Sequence, residues 1–303
     1  MPNALITGGA GFIGSALTAA LLERGYSLRV FDDLSTGSAV NLAGMEHELV
    51  EGDVRDLDAL TRAVRGCDVV FHLAAGAGVV DSIERPLDNF DVNARGTVTA
   101  LEAARLAGVG RLVFSSSNAP LGAAAYPARE DLPVAPLSPY GASKAVGEAY
   151  CSAYHGAYGM EAVAVRFSNA YGLRSAHKGN VIPLFIRLLR AGEELTVYGD
   201  GTQTRDFVFA ADLAEGLILA AETPAAGGRI YQLASGVETS LNRLIELLAE
   251  VSGIEPRIRR APARQGEIER NYSLIDRARA ELGYAPKVAL ADGLARTWEW
   301  FAG

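Results

Sequence analysis

Cysteine is nearly absent: the 303 residues hold two, Cys67 and Cys151, far apart and without the spacing of metal ligands. That pattern excludes a disulfide scaffold and reads as two small reduced core residues, with no metal expected. Basic charge is short as well. Lysine and arginine number 28 against 36 acidic residues, a formal net charge of −8, which argues against a nucleic-acid partner. The longest basic cluster, Arg257-Ile258-Arg259-Arg260, reads as a solvated strand edge. Long apolar runs are missing. Val79-Val80 and Leu73-Ala74-Ala75 are strand-sized, far below the ~20 residues of a membrane span, so no membrane partner is expected. No repeat or low-complexity linker divides the chain. A strand begins within the first few residues, which leaves no room for a leader peptide, and the expected location is the cytoplasm.

What is present starts at the N-terminus. Ala4-Leu5-Ile6-Thr7 reads as a short buried strand. Gly8, Gly11 and Gly14 follow at three-residue intervals, Gly9-x-Gly11-x-x-Gly14 satisfies GxGxxG, and Ser15 to Arg24 runs helical with Gly25 as its stop. A strand that turns through glycines into a helix gathers bare N–H groups and the positive helix end at one spot, which suits a pyrophosphate. A plain structural turn uses glycines too. The second strand, Ser27 to Phe31, ends in Asp32, eighteen residues after Gly14, where a carboxylate accepts hydrogen bonds from an adenosine ribose. It also repels a 2′-phosphate and so favours NAD; Arg29 points weakly the other way.

Strand-like and helix-like segments then alternate. Strands are expected at His47 to Glu51, Asp68 to His72, Arg111 to Ser115 and Glu161 to Phe167; helices at Leu57 to Arg65, Leu87 to Ala107 and Gly141 to Tyr158. Near-continuous apolar strands in repeated βα units imply a doubly wound parallel α/β sheet of Rossmann type, covered on both faces. Its ligands sit outside the carboxyl ends of the strands, where Asp53, Leu73 to Gly76, Ser115 to Ser117 and Phe167 to Asn169 fall. The second half is less regular. Helices are read at Val181 to Arg190, Asp212 to Ala221, from Thr239 or Ser240 to Val251, and Leu290 to Phe301; strands at Leu195 to Tyr198, Phe207 to Phe209 and Arg229 to Leu233. Residues 1–168 are expected to form a dinucleotide-binding domain, with 203–234 returning to it. Residues 169–303 mainly form a smaller interleaved α/β substrate domain.

Tyr140 and Lys144 stand four apart at the start of a helix, so their side chains share a face, and Ser115-Ser116-Ser117 ends a strand upstream. A phenol, an ammonium and a hydroxyl make a proton-handling set. The phenol is a poor base at its ordinary pKa near 10; a neighbouring lysine cation favours the phenolate. Tyrosine and lysine at this spacing also occur on any amphipathic helix.

The ordered series TGGAGFIG, FDDLSTG, GDVRD, FHLAA, NARGT, FSSSNA, SPYGASK, RFSNAYG, YGDGTQTRDFVF and RQGE resembles the extended short-chain dehydrogenase/reductases, specifically the NAD-dependent sugar-nucleotide epimerase/dehydratase family, over nearly the whole chain. The resemblance implies an NAD site built from Gly8, Gly11, Phe12, Ile13, Gly14, Asp32, Asp33, Leu34, Ser35, Thr36, Gly37, Asp53, Val54, Leu73, Ala74, Ala75, Asn93, Ser115, Tyr140, Lys144 and Phe167. It implies Ser117, Tyr140 and Lys144 as the catalytic triad, with Ser117 and Tyr140 also touching substrate. Asn169, Asn180, Val181, Thr196, Val197, Tyr198, Arg205, Arg264, Glu267 and Asn271 align with positions that hold the sugar nucleotide. Arg205 and Arg264 resemble the diphosphate-binding arginines, whose planar forks match phosphate oxygens; the alternative is surface arginines paired with Asp206 or Glu267.

Two departures matter. Pro120-Leu121-Gly122 replaces the family's Val-Tyr-Gly. Asn118-Ala119 follows Ser117, where dehydratases carry an acidic pair and decarboxylating relatives a glutamate. Simple redox at one carbon remains, as a UDP-hexose 4-epimerase requires; another sugar-nucleotide oxidoreductase, a UDP-uronate 4-epimerase, or a non-catalytic NAD-sensing module are the rivals. Asn271 stands where glucose-restricted relatives place a large aromatic, leaving room for a 2-acetamido sugar. Relatives pair through two long helices, so a homodimer is expected, with the Ala142, Ala145, Ala149 and Ala153 face either meeting a second copy or packing on the chain's own sheet.

Overall fold

The computed structural model describes residues 1–123, 126–263 and 269–302. Its first strand, β1 (Asn3–Thr7), is buried from Ala4 onward and leads through the glycines into α1 (Phe12–Glu23). β2 (Ser27–Asp32) and β3 (Glu48–Glu51) follow, then α2 (Leu57–Val64), whose first turn is capped by Asp56. After β4 (Val69–His72) come α3 (Val79–Glu84), α4 (Pro86–Asn89), a π-helical turn Phe90–Arg95 and α5 (Gly96–Leu106). β5 (Arg111–Ser117), α6 (Pro139–Tyr158) and β6 (Glu161–Phe167) complete the first half.

The second half holds β7 (Asn169–Tyr171), α7 (Val181–Ala191), β8 (Leu195–Tyr198), β9 (Thr204–Arg205), β10 (Phe207–Phe209) and α8 (Ala210–Glu222). β11 (Ile230–Leu233), β12 (Thr239–Ser240), α9 (Leu241–Ser252), β13 (Ile258–Ala261) and α10 (Leu290–Ala302) follow.

Seven strands form one parallel sheet in the order β11-β6-β5-β4-β1-β2-β3. This is a doubly wound Rossmann-type sheet. The chain winds outward both ways from β1 and β4, so the crevice opens where their carboxyl ends diverge. Alternate strand residues feed two cores. On one face Ile6, Phe71, Val113 and Val163 pack under α1 and α8 through Leu17, Leu21, Leu213 and Leu217. On the other, Leu5, Val70, Leu112 and Ala162 pack under α2, α5 and α6 through Leu60, Leu101, Ala104 and Cys151. A third core joins α7, α9 and α10 to β8 and β10 through Ile186, Leu244, Leu248, Leu294, Val197 and Phe207.

Several elements differ from the sequence reading. α1 starts at Phe12, because Gly11 already takes the capping conformation. β5 runs on to Ser117, carried by pairing with β6 up to Phe167. α6 starts at Pro139, the residue suited to a first helical position, with Ser138 Oγ accepting the Gly141 N–H at 3.1 Å. Val79-Val80 opens a helix. The long helix expected from Leu87 begins at Pro86 and passes through a π turn. Of the arginine run, Arg259 and Arg260 lie exposed in β13, which pairs with β8. Among the described residues, no helix is long and apolar enough to cross a membrane, and no three metal-ligating side chains cluster.

Candidate active site

The glycine turn sits at the carboxyl ends of β1, β2 and β4. Gly8 adopts φ +70°, and a Cβ there would meet the Ala74 nitrogen at 2.6 Å. A Cβ on Gly14 would lie 2.2 Å from the Gly8 carbonyl, so only glycine lets α1 start so close to β1. Gly11 caps the helix without a side-chain acceptor, so among the described residues no side chain bonds the first-turn N–H groups of Phe12, Ile13 and Gly14. Asp32 is buried beside them. Its carboxylate accepts the Ala10 and Leu34 N–H groups at 2.9 Å each, and each oxygen keeps a lone pair for a further donor. Burial pushes its pKa up, against those two hydrogen bonds. Asp33 holds Ser35 through both its N–H and hydroxyl, and Gly37 lies against the Ala10 backbone. Arg29 is turned away, bonded to Glu48 at 2.7 Å and to the carbonyls of Ala63 and Arg65.

Asp53 is gripped by Arg55, which holds its carboxyl below the usual range, and Val54 is buried against Gly96. Leu73, Ala74 and Ala75 are half-buried after β4, as is Phe167 at the end of β6. Asn93 holds the 73–76 turn: its Oδ1 accepts the Gly76 N–H at 2.8 Å, and its amide donates to the Gly76 carbonyl at 3.0 Å and to Ser143 Oγ at 3.1 Å. Both its amide hydrogens are thus used within the chain. A glycine cradle that a Cβ would fill, an open helix N-terminus and a buried carboxylate together fit a dinucleotide.

Ser117, Tyr140 and Lys144 come together at the end of β5. Ser117 Oγ accepts the Ala119 N–H at 3.1 Å, which leaves its own O–H to stabilise charge on the Tyr140 phenol beside it. Lys144 Nζ donates to the Ser115 carbonyl at 2.7 Å and lies 5.9 Å from the Tyr140 ring centre and 4.9 Å from that of Phe114. Burial pulls the Lys144 ammonium down to about 7, with the Glu148 carboxylate opposing. Burial pushes the Tyr140 phenol above its ordinary value, and the Ser117 hydroxyl opposes that. This corrects the expectation that Lys144 lowers Tyr140. In the protein alone the ammonium is aimed at the Ser115 carbonyl, and the Ser117 hydroxyl is what favours the phenolate.

Behind this set lies His72, fully buried on β4. Thr97 Oγ1 donates to the Asn93 carbonyl at 2.5 Å, so it accepts from His72 Nε2 at 3.1 Å; His72 Nδ1 then accepts from Thr7 Oγ1 at 2.8 Å. This tautomer is assigned from the network. Burial first, then the Lys144 charge, pull the imidazole down to about 3, so it is neutral.

Across the crevice, a cavity of about 190 Å³ is lined by Val181, Thr196, Tyr198 and Arg205, four of the expected substrate residues. Leu184, Phe185, Gln203, Phe207 and Leu241 line it too and were not anticipated. The two on α7 fall at the three- and four-residue spacing from Val181 that marks one helix face. Val197 is a correction. It is fully buried in the third core, because a strand alternates its faces and Thr196 and Tyr198 take the cavity side. Asn169 lies on β7, its N–H on the Asp206 carbonyl. Asn180 is the exposed N-cap of α7. Asn271 donates its N–H to the Thr204 carbonyl, and its buried Oδ1 has no partner among the described residues. Arg205 donates to the Thr204 carbonyl at 2.7 Å, with the half-buried Tyr126 within reach of its charge. Arg264 and Glu267 lie outside the described residues. Leu121, where the family carries tyrosine, is fully buried.

Comparison with known proteins follows the same lines. Residues 4–234 match the model of the NAD dependent epimerase/dehydratase family. A UDP-glucose 4-epimerase of Mycolicibacterium smegmatis is 40% identical over 98% of this chain and 97% of its own. Among solved structures, a UDP-N-acetylglucosamine 4-epimerase from Methanobrevibacter ruminantium M1 in complex with UDP-N-acetylmuramic acid superposes with TM-score 0.94 at 32% identity, over 99% of this chain and 98% of that one. DesIV, a dTDP-glucose 4,6-dehydratase from Streptomyces venezuelae with NAD bound, gives TM-score 0.92 at 36% identity, over 99% and 97% of the two chains.

Proposed function

Because the chain belongs to the NAD dependent epimerase/dehydratase family, we propose that it interconverts the C4 epimers of a UDP-hexose through a transient 4-keto sugar, with NAD retained throughout. The observation that carries this reading is the meeting of Ser117, Tyr140 and Lys144 at the strand end beside the glycine cradle, with a separate cavity beyond. Residues 1–168 with 203–234 serve the dinucleotide in this reading, and 169–303 mainly serve the sugar nucleotide. Gly8, Gly11, Gly14 and Asp32 hold the cofactor, which supplies reversible hydride acceptance at the sugar C4.

The chain's own residues manage protons and position. The Tyr140 oxygen takes the proton of the sugar 4-hydroxyl, relayed through Ser117, and returns it after the keto sugar has turned over. Lys144 fixes the nicotinamide ribose and keeps a positive charge beside the phenol. The cavity of Thr196, Tyr198 and Arg205 anchors the nucleotide and its diphosphate, so the hexose alone is free to rotate. Asn118, its amide donating to Ser273 Oγ at 2.9 Å, stands after Ser117 where elimination needs an acid. That favours epimerisation over dehydration. The Asn271 Oδ1, which has no partner among the described residues, supports accepting a 2-acetamido N–H, so UDP-N-acetylglucosamine belongs among the substrates.

The test is direct. Purified protein is denatured and its released cofactor identified, and intact protein is assayed on UDP-, dTDP- and GDP-sugars. Bound NAD and turnover of UDP-hexoses without added cofactor are expected. Stoichiometric consumption of added NADH would make it a one-way oxidoreductase instead.

A further inference from the structure

Three consecutive residues at the end of β5 each meet a residue of α6, and the residues met are spaced by four. Ser117 faces Tyr140, the Ser115 carbonyl accepts from Lys144, and Ser116 Oγ donates to Glu148 Oε1 at 2.6 Å. Side chains four apart lie above one another on a helix face, so these contacts form one seam. Its third member has no part in the reaction described above. Glu148 is 4% exposed, and Arg166 of β6, 1% exposed, binds both its oxygens at 2.8 Å each. Ser116 and Arg166 are register partners on adjacent strands, so the sheet itself presents both groups to the carboxylate.

The arrangement is costly. Among the described residues, Arg166 Nη1 has no partner, and neither does the side-chain amide of Gln232, its register neighbour on β11. Buried ion pairs of this kind are seldom worth more to stability than apolar residues of the same volume. Its position one helical turn behind Lys144 points to another use.

We propose that Glu148 is a positioning residue: held by Arg166 and Ser116, it locks α6 in the register that brings Tyr140 to Ser117 and Lys144 to Ser115, and it is the anion that stands behind Lys144. The inference rests on the functional reading above. The titratable and charged groups facing Lys144 are Tyr140 and Glu148 on its own helix and His72 on β4, with Arg166 of β6 behind Glu148. His72 is neutral, so Glu148 supplies the negative charge of this buried group.

Glu148→Gln keeps the shape and removes the charge. In the NAD-loaded protein we expect kcat to fall about a hundredfold, the effect of a misplacement near 1 Å. The ¹⁵N resonance of Lys144 Nζ should titrate at lower pH than in the wild type. Glu148→Asp should restore that titration while kcat stays low, because the charge returns but the reach is one methylene short. If Glu148→Gln does not fold, Glu148→Gln with Arg166→Met removes the pair together and carries the same two readings. Wild-type kcat, or an unmoved Lys144 titration, in the charge-removing variant overturns the proposal. If the wild type turns over no sugar nucleotide, the functional reading fails by itself, and the Lys144 titration still decides the positioning role.

Discussion

Tyr140 concentrates the chemistry in one oxygen. Its phenol is raised by burial and eased only by Ser117, so the hydroxyl relay is as much a part of the base as the ring. Tyr140→Phe should lower turnover at least about a hundredfold, the scale of general acid–base catalysis, while bound cofactor and nucleotide affinity persist. Near-normal turnover would assign the base elsewhere. His72 shows the opposite use of burial. Its folded pKa of about 3 lies below the ordinary 6.5, so between those values the unfolded chain binds a proton that the folded one refuses. Stability from this residue is therefore complete above pH 6.5 and is lost as pH falls toward 3, by about 1.4 kcal/mol per pH unit. Urea unfolding between pH 4 and 7 should be less pH-dependent for His72→Gln than for the wild type; equal slopes would sink this account.

At the scale of elements, the join between β5 and α6 sets the site. Gly147 permits it: a Cβ there would meet the Phe114 ring at 2.4 Å, and Phe114 is fully buried. Gly147→Ala should destabilise the fold by about 1–3 kcal/mol, the range for overpacking a core. Part of that loss should return with Phe114→Leu, as double-variant unfolding will measure. If the second change adds to the loss, the close approach is not what the glycine serves. Elements were legible where burial writes a period. β6 and β10 read to the residue from the apolar runs Ala162–Val165 and Phe207–Phe209, and β8 from its alternation of buried Leu195 and Val197 with half-buried Thr196 and Tyr198. α3 was not legible, since Val79, Val80 and Ile83 are exposed and answer to no core within the chain. The π turn at Phe90–Arg95 carries no mark in composition. The shared helix face of Tyr140 and Lys144 was legible from spacing and the serine run from its strand end, while singling out Ser117 took the resemblance. Glu148 and Arg166 were not legible, because their meeting depends on strand register. Leu184, Phe185 and Leu241 carry no mark in the sequence that separates a cavity wall from core.

At the scale of the whole molecule, one surface is unlike the rest. Val80, Ile83, Leu87 and Phe90 are exposed by 54–78% along α3, α4 and the π turn, and these segments pack beside α6. Ala142, Ala149 and Ala153 are exposed on the outer side of α6, with Ala145 half-buried and Tyr150 41% exposed. The alanines therefore do not pack on the chain's own sheet, which α6 meets instead through Gly147, Cys151 and Tyr154. A contiguous apolar patch rimmed by charge marks an interaction face. Small side chains flanked by large ones suit a two-fold pairing in which the same helices of two copies interleave. We propose a homodimer built on this face, and sedimentation at micromolar concentration should give twice the chain mass. Leu87→Glu with Ala149→Glu should shift it to monomer while far-ultraviolet circular dichroism stays unchanged. A wild-type monomer, or a dimer that survives both glutamates, would leave these side chains without the covering proposed for them.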